Sequence, residues 1–172
     1  MKSTRLILSA TTAPDSHAAY PRWTTTCKRF ALQHRRKGVS AVHVLIDSDH
    51  PERILGFYAL SAAQLDASEL DADDRARLPR YPVPCFRMGR LACRSDRRGQ
   101  GLGKLLIGCA VARCLEAAKQ VAAFALIVDA KDAAAKSFYE YYGFTPCANA
   151  PMTLYLPLGR NVRLLNELRG QR

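Results

Sequence analysis

The chain has 172 residues, 48% of them apolar, which suits one domain with a sizeable core and excludes a disordered polar chain. No apolar run reaches the ~18 residues that cross a bilayer, and the LIL near the start falls short of a signal peptide's apolar region of about 7–15 residues. Twenty-six Lys and Arg against 15 Asp and Glu give a formal charge of +11, which favours a polyanionic partner such as nucleic acid or a phosphorylated ligand.

In chain order, the LIL patch reads as a first strand. SHAAYPRWTTTCKRFALQHRRKG reads as helical from about Ser16, with a break at Pro21 and a stop at Gly38. Trp23, Cys27, Phe30 and Ala31 approximate its apolar stripe. VSAVHVLID (39–47) is a strand by its β-branched content, SDHP is a turn, and RILGFYALSAAQL (53–65) is a second strand, so the two form a hairpin. DASELDADDRARLPR (66–80) is a loop or short helix. The prolines of YPVPCFRMGRLACR hold the chain extended, and 83–93 reads as a strand. GLGKLLIGCAVARCLEAAKQ is a helix of about 18 residues. VAAFALIVDA (121–130) is wholly apolar until its end, as a buried strand is. KDAAAKSFYEYYG is a helix ending at Gly143, and FTPCANAPMTLYLPLG supplies one or two last strands. With no repeat and no linker, the reading is one α/β domain over 1–158, followed by a basic tail (159–172) with four arginines and one glutamate.

The six cysteines, Cys27, Cys85, Cys93, Cys109, Cys114 and Cys147, form no CxxC pair, and no histidine stands at zinc-finger spacing from them. Free thiols in a reduced, cytoplasmic protein are expected. His17, His34, His43 and His50 form no metal-ligand set, so no metal is expected.

The stretch with most chemistry in it is RRGQGLGKLL (97–106). Glycine disfavours a helix interior, yet three of them open a strong helix here. Strand, glycine turn and helix together make an anion site. Unpaired N–H groups at the helix start point outward, the helix dipole favours negative charge, and glycine lets the backbone come close. A Walker loop is excluded, because Gly103-Lys104 is followed by Leu105 and Arg98 stands where the first glycine belongs. The dinucleotide pattern fails because Lys104 replaces its third glycine. The pattern that fits is [R/Q]xxGxG, on Arg98, Gly101 and Gly103.

This pattern resembles the coenzyme A pyrophosphate loop of the GNAT superfamily of acyl-CoA N-acyltransferases. The strand CFRMGRLACR before the loop, the strand AFALIVDA after its helix, and AAAKSFYEYYGF beyond follow in that superfamily's order. GFYALSAAQL, GRLACRSDRRGQGLGKLLI, VDAKDAAAKSFYEYYGF and PMTLYLPL are similar to the toxin-type GNAT acetyltransferases of bacterial toxin–antitoxin modules, over 39–158. The resemblance implies a mixed α/β fold: a twisted, mostly antiparallel sheet with one splayed parallel pair, flanked by helices. It implies acetyl-CoA as co-substrate and an amine as acceptor. By its place in SFYEYYGF, Tyr139 matches the family's general acid, with Tyr141 and Tyr142 as neighbours. Helical spacing puts Tyr139 and Tyr142 on a similar face and turns Tyr141 away. Leu91, Ala92 and Cys93 match the backbone segment that pairs with the pantetheine arm. Arg98, Gly99, Gln100, Gly101, Leu102, Gly103 and Lys104 match the pyrophosphate wrap, and Asp132 and Ala135 match a pantetheine or adenosine contact. Cys93 as a nucleophile is disfavoured for want of a supporting histidine, and Asp129 reads as a general base or, more simply, a strand-end turn residue.

Relatives of the toxin type acetylate the α-amine of aminoacyl-tRNA, are dimeric and pair with a small DNA-binding antitoxin. The positive charge agrees independently with a tRNA partner. Lys28, Arg29, Arg35, Arg36, Lys37, Arg87, Arg90 and the tail are the cations available to it. A GNAT enzyme for a small amine or a protein N-terminus, and a nucleic-acid-binding regulator with a vestigial acyl-CoA site, remain open alternatives.

Overall fold

The computed structural model describes residues 7–9, 33, 36–51, 53–97 and 99–160. The helix expected from Ser16, with Lys28, Arg29 and Arg35, lies outside the described residues, as do Arg98 and the tail from 161. The strands are β1 (Ile7–Ser9), β2 (Ala41–Ile46), β3 (Ile54–Leu65), β4 (Val83–Cys93), β5 (Ala125–Asp129), β6 (Thr145–Pro146) and β7 (Thr153–Pro157). The helices are α1 (Ala72–Arg77), α2 (Leu102–Ala118) and α3 (Ala133–Tyr141). The seven strands form one mixed sheet in the order β1-β2-β3-β4-β5-β7-β6. β1 with β2, β2 with β3, β5 with β7 and β6 with β7 pair antiparallel, whereas β4 with β5 is parallel. Among the described residues no helix is long and apolar enough to cross a membrane.

The chain groups into two compact units, one of residues 1–61 and 90–106, the other of 62–89 and 107–172. In the first, the expected hairpin forms: β2 runs against β3 with Ala41 opposite Leu60 and Ile46 opposite Ile54, and the register shifts between Leu45 and Ile46. The SDHP turn closes through Asp47 N–H to the Arg53 carbonyl at 3.1 Å and Arg53 N–H to the His50 carbonyl at 2.8 Å. Six consecutive buried residues, Ile54 to Ala59, mark a strand covered on both faces. Val42, Phe57 and Ala59 pack with Val44 and Ala92. The buried rings of His43 and Tyr58 lie 5.0 Å apart.

In the second unit, β4 pairs with β5 from Cys85 opposite Ala125 to Met88 opposite Val128. β5 starts at Ala125, four residues later than its apolar run, and is fully buried up to Asp129. It runs against β7, from Ala125 opposite Pro157 to Asp129 opposite Thr153. The core gathers Leu65, Leu70, Val83, Cys85, Ala125, Ile127, Cys147 and Tyr155. The 66–80 segment becomes a 3-10 turn at Ala67–Glu69 and then α1. Two aspartates start them, Asp66 accepting from Ser68 N–H and Asp71 from Asp74 N–H. The Tyr155 hydroxyl accepts from Asp71 N–H at 3.0 Å and ties α1 to β7. Glu69 holds both the backbone and side-chain amides of Asn149, at 3.0 and 3.1 Å.

Candidate active site

The glycine turn belongs to the first unit. Arg94 N–H reaches back to the Leu55 carbonyl at 2.9 Å, and the Arg94 guanidinium forks onto Asp96 with two bonds of 2.9 Å. That pairing pulls the Asp96 carboxyl below its ordinary range and pushes Arg94 up. Arg97 then donates to the Gln100 side chain at 3.3 Å. Gly99 and Gly101 both take φ +76°, the left-handed region, where a side chain is strained. A Cβ at either would meet nothing within 4 Å, so the backbone there stands open. Leu105 N–H to the Gly101 carbonyl, 3.0 Å, is the first bond of α2. The N–H groups of Leu102, Gly103 and Lys104 are therefore the orphan donors of the helix start. An aspartate caps α1 (Asp71) and α3 (Asp132), whereas among the described residues no side chain caps α2 and no acid stands in its first turn. Orphan donors, a positive dipole end and an open glycine backbone fit a diphosphate. The puzzle of a helix opening in glycines resolves there.

The strand feeding this turn carries Leu91, Ala92 and Cys93, all half-buried. The register with β5 ends at Met88, and β4 runs on to Cys93, which leaves backbone groups of Leu91–Cys93 on that edge without a strand partner among the described residues. Gly56 of β3 holds this segment closely. A Cβ there would lie 2.8 Å from Leu106 Cδ1 and 2.9 Å from the Ala92 carbonyl oxygen. Gly56 is the residue of this site that local pattern marks only faintly: a glycine inside a strand is a signal of close backbone approach. Burial pushes the Cys93 thiol up, so it stays protonated and is a poor nucleophile.

Tyr139 lies in the second unit, on α3. Asp132 caps that helix by accepting from Ala135 N–H at 2.7 Å, so these two residues have a structural task beside any ligand contact. Tyr139 is 8% exposed, with ring centroids of Phe138 and Phe144 each 5.4 Å away. Tyr142 is half-buried and stacks edge-on against Phe138, whereas Tyr141 is 83% exposed, as the helical spacing predicts. Gly143 takes φ +87°, the expected left-handed cap. Burial first, then the Asp129 charge, raises the Tyr139 hydroxyl above its usual range. It therefore carries its proton at neutral pH and is able to donate it. Asp129 accepts from the Thr153 hydroxyl at 2.9 Å and pairs with the Arg87 guanidinium. The Asp129–Arg87 ion pair, 42 residues apart in sequence, was not foreseen. Arg90 and Arg36 are exposed, and no group of His, Cys, Asp and Glu able to hold a metal occurs among the described residues.

A mixed sheet with one parallel pair, an uncapped glycine-started helix and a buried protonated tyrosine define an acyl-CoA-dependent transferase of the GNAT type. The chain belongs to that family: the acetyltransferase (GNAT) domain matches residues 38–146, which include both the loop and Tyr139. Among curated proteins, it is 33% identical over 104 residues to a tRNA-acetylating toxin of Mycobacterium tuberculosis, covering 60% of this chain and 62% of that protein. The chain thus matches less than two thirds of that relative's length. Its fold is similar to that of AtaT complexed with acetyl-methionyl-tRNAfMet, with a TM-score of 0.80 and 22% identity over 95% of this chain and 99% of the other. A tyrosine-to-phenylalanine variant of KacT follows at TM-score 0.76 and 22% identity, covering 95% and 98%. The KacTA–DNA complex gives 0.71 and 21%, covering 99% and 100%.

Proposed function

We propose that the protein is an acetyl-CoA-dependent N-acetyltransferase that modifies the α-amine of aminoacyl-tRNA and so acts as a toxin that blocks translation. The observation that carries the acetyl-CoA part is the uncapped start of α2 behind Gly99 and Gly101. The tRNA part is supported by the toxin relative and by the net charge of +11. Acetyl-CoA supplies an activated thioester when bound. The N–H groups of Leu102, Gly103 and Lys104, with Arg98, Gly99, Gln100 and Gly101, hold its diphosphate. The backbone of Leu91, Ala92 and Cys93 orients the arm that carries the acetyl group. Asp132 and Ala135 flank it. The attacking amine must arrive as a free base. Tyr139, which like any tyrosine carries its proton at neutral pH, gives that hydroxyl proton to the departing sulfur. Arg35, Arg36, Arg87 and Arg90 grip tRNA phosphates, Arg87 by exchanging its bond to Asp129. We place the enzyme in the cytoplasm as a homodimer of one catalytic domain (1–158) with a basic tail, neutralised by a small DNA-binding antitoxin.

The test is transfer of labelled acetyl from acetyl-CoA to total charged tRNA by the wild type and Tyr139→Phe. The expected result is label on the aminoacyl group, reduced about 10²–10⁴-fold in the variant. Acetyl-CoA binding without label on any charged tRNA overturns the substrate assignment.

A further inference from the structure

We infer that the end of α1 and the connector to β4, Arg75 to Tyr81, form a docking surface for single-stranded RNA, the unpaired end of the proposed tRNA substrate. The inference rests on the tRNA reading above and adds a contact site to it. Arg75, Arg77 and Arg80 are exposed, and among the described residues their guanidinium groups make no ion pair or hydrogen bond. Tyr81 is 63% exposed and stacks on no other described ring. Three exposed cations within six residues of an exposed aromatic ring supply the two halves of single-strand recognition: charge tracks the phosphates and the ring stacks on a base. Duplex binding has use for the charges alone.

The connector is also held still. Leu78 packs against the core beneath it, and Val83 at its end is 3% exposed. Pro79 and Pro82 bracket Arg80 and Tyr81, so φ is fixed on both sides of the pair. Ordering such a segment on binding loses little entropy.

The same stretch holds five acids, which have to be set against the arginines. Asp66 accepts from the amide and hydroxyl of Ser68, Glu69 from Asn149, Asp71 from Asp74 N–H, and Asp74 is 4% exposed. Asp73 is exposed on α1, four residues before Arg77, and is not within ion-pair distance of it. Asp66 starts the 3-10 turn before α1, whereas Asp71 stands at the start of α1 and Arg77 at its end, roughly 9 Å along a helix of this length. That is about one screening length at physiological salt. The arginine end therefore faces solvent as a positive surface.

The experiment measures fluorescence anisotropy of the intact protein with a labelled single-stranded RNA oligonucleotide and with a labelled RNA duplex, over a salt series. The variants are Tyr81→Ala, Tyr81→Phe and the triple change Arg75→Ala, Arg77→Ala, Arg80→Ala. Unfolding midpoints and acetyl-CoA binding, expected unchanged, show that each variant is folded. Tyr81→Ala should weaken single-strand binding about 10-fold, with Tyr81→Phe restoring it, and should leave duplex binding within about twofold. The triple change should lower the salt slope for the single strand by about 2 units, at roughly 0.7 per lost phosphate contact. Unchanged single-strand affinity and slope in all variants overturn the inference, as does an equal loss on the duplex. Acetyl transfer to charged tRNA is followed in parallel. Normal transfer by variants with unchanged RNA affinity refutes this surface and leaves the function standing. No transfer and no RNA binding by the wild type refutes both.

Discussion

Replacing Gly56 with alanine should damage the fold and acetyl-CoA binding through one contact. The new Cβ would lie 2.9 Å from the Ala92 carbonyl oxygen and 2.8 Å from Leu106 Cδ1, where ordinary contact starts at 3.4 Å. Both gaps must open by about half an ångström (2.9 to 3.4 Å). The leucine methyl is the end of a side chain, yet Leu106 is 0% exposed, which leaves it little room to give. The carbonyl is backbone and moves only with β4. Overpacking of this kind costs about 1–3 kcal/mol. Gly89→Ala is the control: it lies on β4, the strand that carries Ala92, and its Cβ would meet nothing within 4 Å. Loss of unfolded-chain entropy should leave it neutral or stabilised by about 0.4–1 kcal/mol. Urea unfolding followed by circular dichroism should thus separate the two variants by about 2 kcal/mol, or about 4–8 °C in Tm for a domain of this size. Because the displaced carbonyl sits in the Leu91–Cys93 segment, calorimetry should also show Gly56→Ala binding acetyl-CoA about 10-fold more weakly, roughly 1.4 kcal/mol. Equal stability of the two variants would refute the close approach of β3 to Ala92, and equal binding would refute the role given to that segment.

Asp132→Ala removes the cap of α3 and should lower stability by about 1 kcal/mol in a denaturant titration, with acetyl transfer falling further than stability because α3 carries Tyr139. Cys93→Ala should keep kcat within about threefold, since a thiol held protonated by burial is not the nucleophile; loss of activity comparable to Tyr139→Phe would reverse that assignment. Alkaline pH should destabilise the fold. Burial pushes Cys114 from 9.0 up to about 12, Cys147 from 9.0 up to about 11 and Tyr155 from 10.0 up to about 12. A raised folded pKa means stability is complete below the unfolded value and is lost as pH climbs through the folded one. Unfolding free energy should therefore decline from about pH 9 upward, by about 1.4 kcal/mol per pH unit for each proton, and Cys114→Ala should flatten part of the slope.

How much of this was legible beforehand follows from the range of the forces involved. Strand β4 was read at its observed bounds, Val83–Cys93, and α2 within two residues at either end, because strand alternation, proline placement and helix periodicity are local. The left-handed glycine at Gly143 and the outward turn of Tyr141 were legible for the same reason. The glycine-opened start of α2, proposed here to hold the diphosphate, was legible too, since glycines in the first turn of a helix need a ligand or an unusual φ to explain them, and Gly99 and Gly101 do take positive φ. Other features need partners that the chain brings together from far apart. The Arg87–Asp129 pair exists because the parallel pairing of β4 with β5 sets Arg87 opposite Ile127, and no local pattern encodes that register. Gly56 became meaningful only when β3 was found against the Ala92 carbonyl. Asp132, which the family resemblance matches to a ligand contact, also caps the helix it starts, a task set by the helix geometry. Local backbone preference and periodicity determined the elements and the glycine-opened start of α2. Packing between segments tens of residues apart decided which carboxylates are paired, which thiols stay protonated and which strand edge is left open.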